Sequence, residues 1–185
     1  MTLGYYEFFA GGGMARAGLG PNWTCLFAND IDLKKARSYA TNWGEHHFVA
    51  RDVACLKSTD VPGRTDLAWA SFPCQDLSLA GMGAGLDGNR SGTFWPFWKL
   101  MKALRAEKRA PRMIVLENVK GALTSHGGRD FAAIGAALAK EDYRFGGNET
   151  YHLAGDGVAV PVVRFLAAHI LEPIIAPTVS DQLAV

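Results

Sequence analysis

Two short stretches bring reactive side chains to the ends of apolar runs. In "SFPCQDLSLAG", residues 71–81, Cys74 follows the apolar run Leu67–Ser71 and precedes the polar, glycine-rich "MGAGLDGNRSGT". In "MIVLENVKG", residues 113–121, Glu117 and Asn118 emerge after Ile114, Val115 and Leu116. A free thiol titrates near pH ~8.5, so at neutral pH only a minor fraction is nucleophilic unless its surroundings assist. If both runs are strands of an open α/β sheet, thiol and carboxyl project into one crevice at the strand ends, as nucleophile and acid. Two plainer alternatives stay open at this point: a buried cysteine spacer, and a glutamate capping the next turn.

A third stretch, "EFFAGGGMARAGLG" (residues 7–20), runs from an apolar segment through Gly11, Gly12 and Gly13 into a small-residue helix. Glycines at such a junction permit positive φ and let a ligand approach the backbone, while the helix start presents free N–H groups. The spacing is not Gly-x-Gly-x-x-Gly, so a dinucleotide reading is weak and a tight turn is the plain alternative. Asp30 in "LFANDID" stands at the end of the second run, where nucleotide-binding α/β folds place a carboxylate for ribose hydroxyls. Asp32 suits a helix cap better. Asp52 in "RDVACL" follows a weak third run, from which an adenine amino group could be bound; its alternative is a turn aspartate.

These residues need elements to hold them. Short apolar runs alternate with longer segments of helical period, which predicts an α/β fold with a mainly parallel, doubly wound sheet. The predicted strands are Tyr5–Phe9, Thr24–Asn29, Phe48–Val49, Leu67–Ser71 and Met113–Glu117. The predicted helices are Asp32–Asn42, with Leu33, Ala36 and Ala40 on one face; Thr93–Arg109, with Phe94, Phe97, Leu100, Met101 and Leu104; Asp130–Lys140, with Phe131, Ile134 and Leu138; and Val158–Leu171, with Pro161 in its first turn. The stretch "EDYRFGGNETYHLAGDG" leaves little room for more than one short strand. The 185 residues, 49% hydrophobic, suffice for a single domain over 1–176, and 177–185 reads as a tail.

A net charge of +1 gives no global field toward nucleic acid or membrane, so any polyanion must meet a local patch. The row Lys99, Lys102, Arg105, Lys108, Arg109 and Arg112 is read first as a solvated face. The start "MTLGYYEFFAGGG" has neither a basic leader nor a long apolar run, and a cytoplasmic, monomeric protein without a membrane segment is expected. Cys25, Cys55 and Cys74 are too widely spaced for a Cys-x-x-Cys pattern, which suits free thiols in a reducing compartment. His46 and His47 are adjacent with no further ligands at zinc spacing, so no metal is expected.

Taken in order, these motifs resemble the cytosine-5 DNA methyltransferases, from Tyr5 to about Phe145 and again from about Tyr151 to Ile170. "FFAGGGMARAGL" is similar to the family's S-adenosylmethionine loop, "FPCQDLS" to its nucleophile motif, "RSGTF" to the following helix start, "ENVKG" to its glutamate motif and "GDGVAVPVV" to its C-terminal helix. The resemblance implies a Rossmann-like S-adenosylmethionine-dependent methyltransferase fold and a role in DNA methylation of the restriction-modification kind. It implies Cys74 as the nucleophile attacking carbon 6 of a flipped cytosine, and Glu117 holding ring nitrogen 3 and the exocyclic amine. It further implies Phe9, Ala10, Gly11 and Gly13 around the cofactor's methionine moiety and Asp30 on its ribose. Asp52 and Val53 would stand at the adenine, with Pro73 nearby and Asp156, Gly157 and Val158 closing the pocket. Gln75, Ser78 and Arg90 are implied to contact double-stranded DNA, and S-adenosylhomocysteine to be the product.

The sequence departs from the family at several points. Glu7 stands where Asp is common, and Met14 where Gly is frequent. Between Phe145 and Tyr151 the family has an arginine-rich Gln-x-Arg-x-Arg strand and a variable target-recognition domain; neither occurs here, and Gly146-Gly147 marks the expected join. Two further readings are therefore carried: a cofactor-binding core without turnover, and a transfer-RNA cytosine-5 methyltransferase. An amino-methyltransferase would need an Asn/Asp-Pro-Pro-Tyr-like motif, which is absent.

Overall fold

A computed structural model of the chain describes residues 2–73, 93–119, 121–144 and 160–175. Cys74, Gln75, Ser78, Arg90, Asp156, Gly157 and Val158 lie outside the described residues, as do the expected join near 145–151 and the tail 177–185. Five strands run β1 (Leu3–Phe8), β2 (Trp23–Asp30), β3 (Phe48–Ala50), β4 (Leu67–Ala70) and β5 (Met113–Leu116). They form one sheet in the order β3-β2-β1-β4-β5, every pair parallel. Parallel neighbours need crossovers, and helices supply them: α1 (Met14–Leu19), α2 (Leu33–Trp43) and α3 (Phe94–Ala106). After β5 come the short α4 (Gly121–Thr124), α5 (Arg129–Ala139), α6 (Val160–Leu166), a π-helical turn (Ala167–Leu171) and α7 (Glu172–Ile175).

Strand β1 shows why the sheet is covered on both faces. Its alternating side chains divide, Tyr6 and Phe8 joining a core built with α3 and α5, and Tyr5 a second core built with α1 and α6. Phe8 lies 5.1 Å from the Phe97 ring and 5.5 Å from Phe27, centroid to centroid. Each aromatic pair of this kind adds roughly 0.5–1.5 kcal/mol beyond simple burial. The predicted stripe of α3 is buried throughout, with Trp98 added to it.

Helix α2 corrects one expectation. Leu33 is 64% exposed, and the side chain that enters the core is Tyr39. Tyr39, with Ala36, Ala40 and Trp43 at spacings of three and four, forms the true inner face; Leu33 belongs to the open first turn. Asp32 caps that turn as expected, its Oδ1 accepting from the amides of Lys34 (2.7 Å) and Lys35 (3.2 Å). Strand β1 ends one residue early because Phe9 adopts φ 57°, which breaks the extended path. The last helix runs past Leu171 to Ile175, and its π-helical turn lies just before Pro173, which cannot donate back to the preceding turn. Of the basic row, Arg105 pairs with Glu141 (3.2 Å) and Asp142 (2.5 Å). Arg109 turns to the carbonyls of Ser58, Val61 and Gly63 at 2.7–2.8 Å. Lys99, Lys102, Lys108 and Arg112 are exposed, as a solvated face requires.

Candidate functional site

The strand order reverses between β1 and β4, and in open α/β sheets ligands lodge at the carboxyl ends of the strands beside such a reversal. At the end of β1 the chain turns through Phe9 (φ 57°), Gly11 (φ 56°) and Gly13 (φ 85°) into α1. The turn is held from two sides. The Gly13 amide donates to the Ala10 carbonyl (2.8 Å), and the Ala10 amide donates to the Asn29 carbonyl at the end of β2 (2.9 Å). Asp30 Oδ2 accepts from the Gly11 amide (2.9 Å) and Oδ1 from the Asp32 amide (2.9 Å). Asp30 is therefore the bracket that ties the glycine turn to β2. An added Cβ at Gly11 would meet nothing within 4 Å, so open space lies over the turn. The Gly12 amide has no partner among the described residues.

Next to this turn, Asn29 Nδ2 donates to the carbonyls of Val49 (2.9 Å) and Arg51 (2.7 Å), fixing the exit of β3. Asp52 follows, and its Oδ1 accepts from the Ala54 amide (2.8 Å) while Val53 is buried. That bond is what a turn aspartate makes, and it uses one oxygen of the group expected at the adenine. Ile31, between Asp30 and Asp32, is 63% exposed.

On the other side of the reversal, β4 and β5 run in register, Ala70 opposite Leu116. The Ser71 amide donates to the Phe8 carbonyl (3.3 Å) and the Glu117 amide to the Ala70 carbonyl (2.9 Å). Asn118 Nδ2 donates to the Phe72 carbonyl (3.2 Å), so the segment that leads into Cys74 is tied to the strand end that carries Glu117. Pro73, the last described residue before Cys74, is exposed. Burial raises the Glu117 carboxyl above the usual carboxylate range, opposed by a hydrogen bond with the Ser71 hydroxyl. Ser71 Oγ also accepts from Trp69 Nε1 (3.0 Å). A half-buried acid with a raised pKa therefore stands at the end of β5, beside the Ser71–Pro73 segment that precedes Cys74.

Beneath the glycine turn lies a polar group that composition does not reveal. Glu7 is 1% exposed, its Oε1 accepts from the Arg16 amide (3.4 Å), and its Oε2 has no partner among the described residues. Burial pushes its pKa up to about 8 against the pull of the Arg16 and Ala15 amides and the Arg16 charge. Arg16 reaches Tyr39 Oη (3.1 Å) and contacts His47 Nε2, whose ring is pushed down to about 4 by burial and by the charges of Arg16 and His46. Among the described residues no group of three or more His, Cys, Asp or Glu could hold a metal ion, and no helix is long and apolar enough to cross a membrane.

The family model for C-5 cytosine-specific DNA methylases matches residues 3–148. The chain belongs to the C-5 cytosine-specific DNA methylase family. It is 33% identical over 135 residues to the type II methyltransferase M.BsuFI of Bacillus subtilis, covering 72% of this chain and 31% of that protein. It is also 33% identical over 142 residues to M.DsaV of Dactylococcopsis salina, covering 76% of this chain and 38% of that one. The Entamoeba histolytica methyltransferase EhMeth superposes with a TM-score of 0.63 at 21% identity, over 78% of this chain and 45% of its own. S. pombe Dnmt2 superposes with a TM-score of 0.57 at 20% identity, over 76% and 41%. These two structures establish the methyltransferase fold. As a member of the C-5 cytosine-specific DNA methylases this chain is short, spanning about a third of the length of the relatives it matches.

Proposed function

We propose that the chain is the catalytic core of a DNA (cytosine-5)-methyltransferase that moves a methyl group from S-adenosylmethionine to carbon 5 of a flipped cytosine. The observation that supports this reading is that Glu117 and the Ser71–Pro73 segment preceding Cys74 leave the ends of adjacent strands, tied by Asn118 to Phe72. The residues of the glycine turn fit the cofactor: open space over Gly11, a Gly12 amide with no partner among the described residues and the Asp30 carboxylate stand together. Phe9, Ala10, Gly11, Gly13 and Asp30 would hold its methionine and ribose, Ile31, Asp52 and Val53 its adenine, and Asp156, Gly157 and Val158 the remaining wall. When bound, S-adenosylmethionine supplies an electrophilic methyl group.

The chain's own residues would do the rest. The Cys74 thiolate adds to carbon 6, and Glu117 shares its proton with ring nitrogen 3, so that the electron pair arriving at carbon 5 is stabilised. After methylation a base takes the carbon 5 proton, the 5,6 double bond reforms and the Cys74 sulfur leaves with its electron pair. Cytosine in a duplex cannot reach such a crevice, so the base must leave the stack. Gln75, Ser78 and Arg90 are assigned to the DNA side. Tritium from methyl-labelled S-adenosylmethionine is expected in cytosine-containing duplex DNA and not in transfer RNA. Label in transfer RNA alone would replace the DNA reading with the RNA one, and cofactor binding without label in either would leave a core without turnover.

A further inference from the structure

Trp43, the last residue of α2, touches the glycine turn although neither its position nor its residue type predicts a part in cofactor binding. Its Nε1–H donates to the Gly12 carbonyl at 3.1 Å. Its ring also occupies the place a side chain at Gly13 would need: a Cβ there would stand 2.3 Å from Nε1 and 2.7 Å from Cδ1. Arg16, on α1, stacks over the indole at 5.0 Å from the ring centroid, so the ring is gripped between the turn and the helix that follows it. The consequence is local and geometrical. The peptide between Gly12 and Gly13 has its carbonyl held by Trp43 and its N–H held by the Ala10 carbonyl (2.8 Å). With both ends fixed the peptide cannot flip, and the preceding Gly12 amide has no partner among the described residues.

We propose that Trp43 is a positioning residue for the cofactor turn, locking the Gly12–Gly13 peptide so that the Gly12 amide is presented to the cofactor's anionic end. This rests on the reading of the turn as an S-adenosylmethionine site. Glycine turns are soft, and a turn free to sample several φ/ψ wells binds more weakly by the fraction of time it spends in the competent one. The α2 tryptophan removes that freedom through its contacts with Gly12 and Gly13.

The test uses the Trp43→Phe variant, which keeps an aromatic ring for Gly13 and Arg16 and loses only the N–H. Losing one hydrogen bond of this kind corresponds to about a five-fold change in an equilibrium. S-adenosylhomocysteine titrated calorimetrically is expected to bind the variant about five-fold more weakly, with the melting temperature lowered by at most a few degrees. Amide exchange read by NMR, with no ligand present, is expected to be faster at Gly13 in the variant. A Gly13→Ala variant, whose added Cβ must displace the indole and whose φ of 85° strains a side chain, should bind more weakly too, and wild-type affinity there would count against the proposal. Wild-type affinity together with wild-type Gly13 exchange in Trp43→Phe would overturn the proposal. Failure of the wild-type chain to bind S-adenosylhomocysteine would instead strike the cofactor reading, and the exchange comparison would still decide whether Trp43 holds the turn.

Discussion

A carboxylic acid that must share a proton with a ring nitrogen works best when it titrates near the working pH, and burial moves Glu117 in that direction. Replacing it with Gln keeps the shape and removes the acid. Methyl transfer by Glu117→Gln is expected to fall by about 10²–10⁴-fold while S-adenosylhomocysteine affinity is retained. The Ser71 hydroxyl favours the ionised form, so its removal has a defined sign. In Ser71→Ala the high-pH fall of the rate, where Glu117 loses its proton, should move to higher pH; a shift to lower pH would contradict the assignment. Glu7 makes a separate pH prediction. Its folded pKa is raised to about 8 from 4.5, so below 4.5 both folded and unfolded chains hold the proton and stability is greatest. Between 4.5 and about 8 the unfolded chain releases it first, and stability declines as pH rises, levelling above about 8. Glu7→Gln should flatten that decline in denaturation midpoints measured from pH 5 to 9. Glu117 was legible because it ends an apolar run, and Asp32 because it precedes a helix. Ser71 and Trp43 make their contacts with neighbours that only folding brings close, and no spacing in the sequence marks them. Asp52 shows the converse: its strand-end position is as expected, yet the bond it makes is to its own turn at Ala54.

At the scale of elements, the contact that matters most is between α1, which leaves the glycine turn, and α6, which leads out of the Asp156–Val158 segment. Gly18 lets them approach: a Cβ there would lie 2.3 Å from Val163 Cβ and 3.0 Å from the Val160 carbonyl. Arg164 Nη1 donates to the Leu19 carbonyl at 2.6 Å and so closes the C-terminal end of α1. Gly18→Val should overpack this seam and cost about 1–3 kcal/mol, read as a lowered melting temperature. Arg164→Met, which leaves the carbonyl without its donor, should cost about 1–3 kcal/mol. If both variants melt like the wild type, α6 does not hold α1. The stripes of α3 and α5 were readable from sequence because strong hydrophobes recur at three and four. The inner face of α2 was not, because Leu33 outranks Tyr39 in hydropathy while its place in the first turn leaves it open. The extension to Ile175 was hidden by Pro173, a residue that normally argues for an end.

For the whole molecule, the fold class was legible in the alternation of short apolar runs with helical segments, and the five parallel strands follow it. Strand order was not spelled out by any motif; it follows from where the crossovers pack. The same arrangement accounts for the division of labour. The strands right of the reversal, β4 and β5, carry the proposed chemistry, and β1 and β2 carry the proposed cofactor turn. Base readout needs surfaces that contact groove edges, and neither the Gln-x-Arg-x-Arg pattern nor a target-recognition domain stands between Phe145 and Tyr151. The proposed chemistry turns on the covalent bond between Cys74 and cytosine. The most direct measurement incubates the protein and its Cys74→Ala variant with S-adenosylmethionine and duplex DNA carrying 5-fluorocytosine, whose carbon 5 fluorine cannot be removed as a proton. A complex that survives denaturing electrophoresis is expected with the wild type and not with the variant. A wild-type protein that binds the cofactor and methylates ordinary DNA yet traps no fluorinated DNA would contradict it.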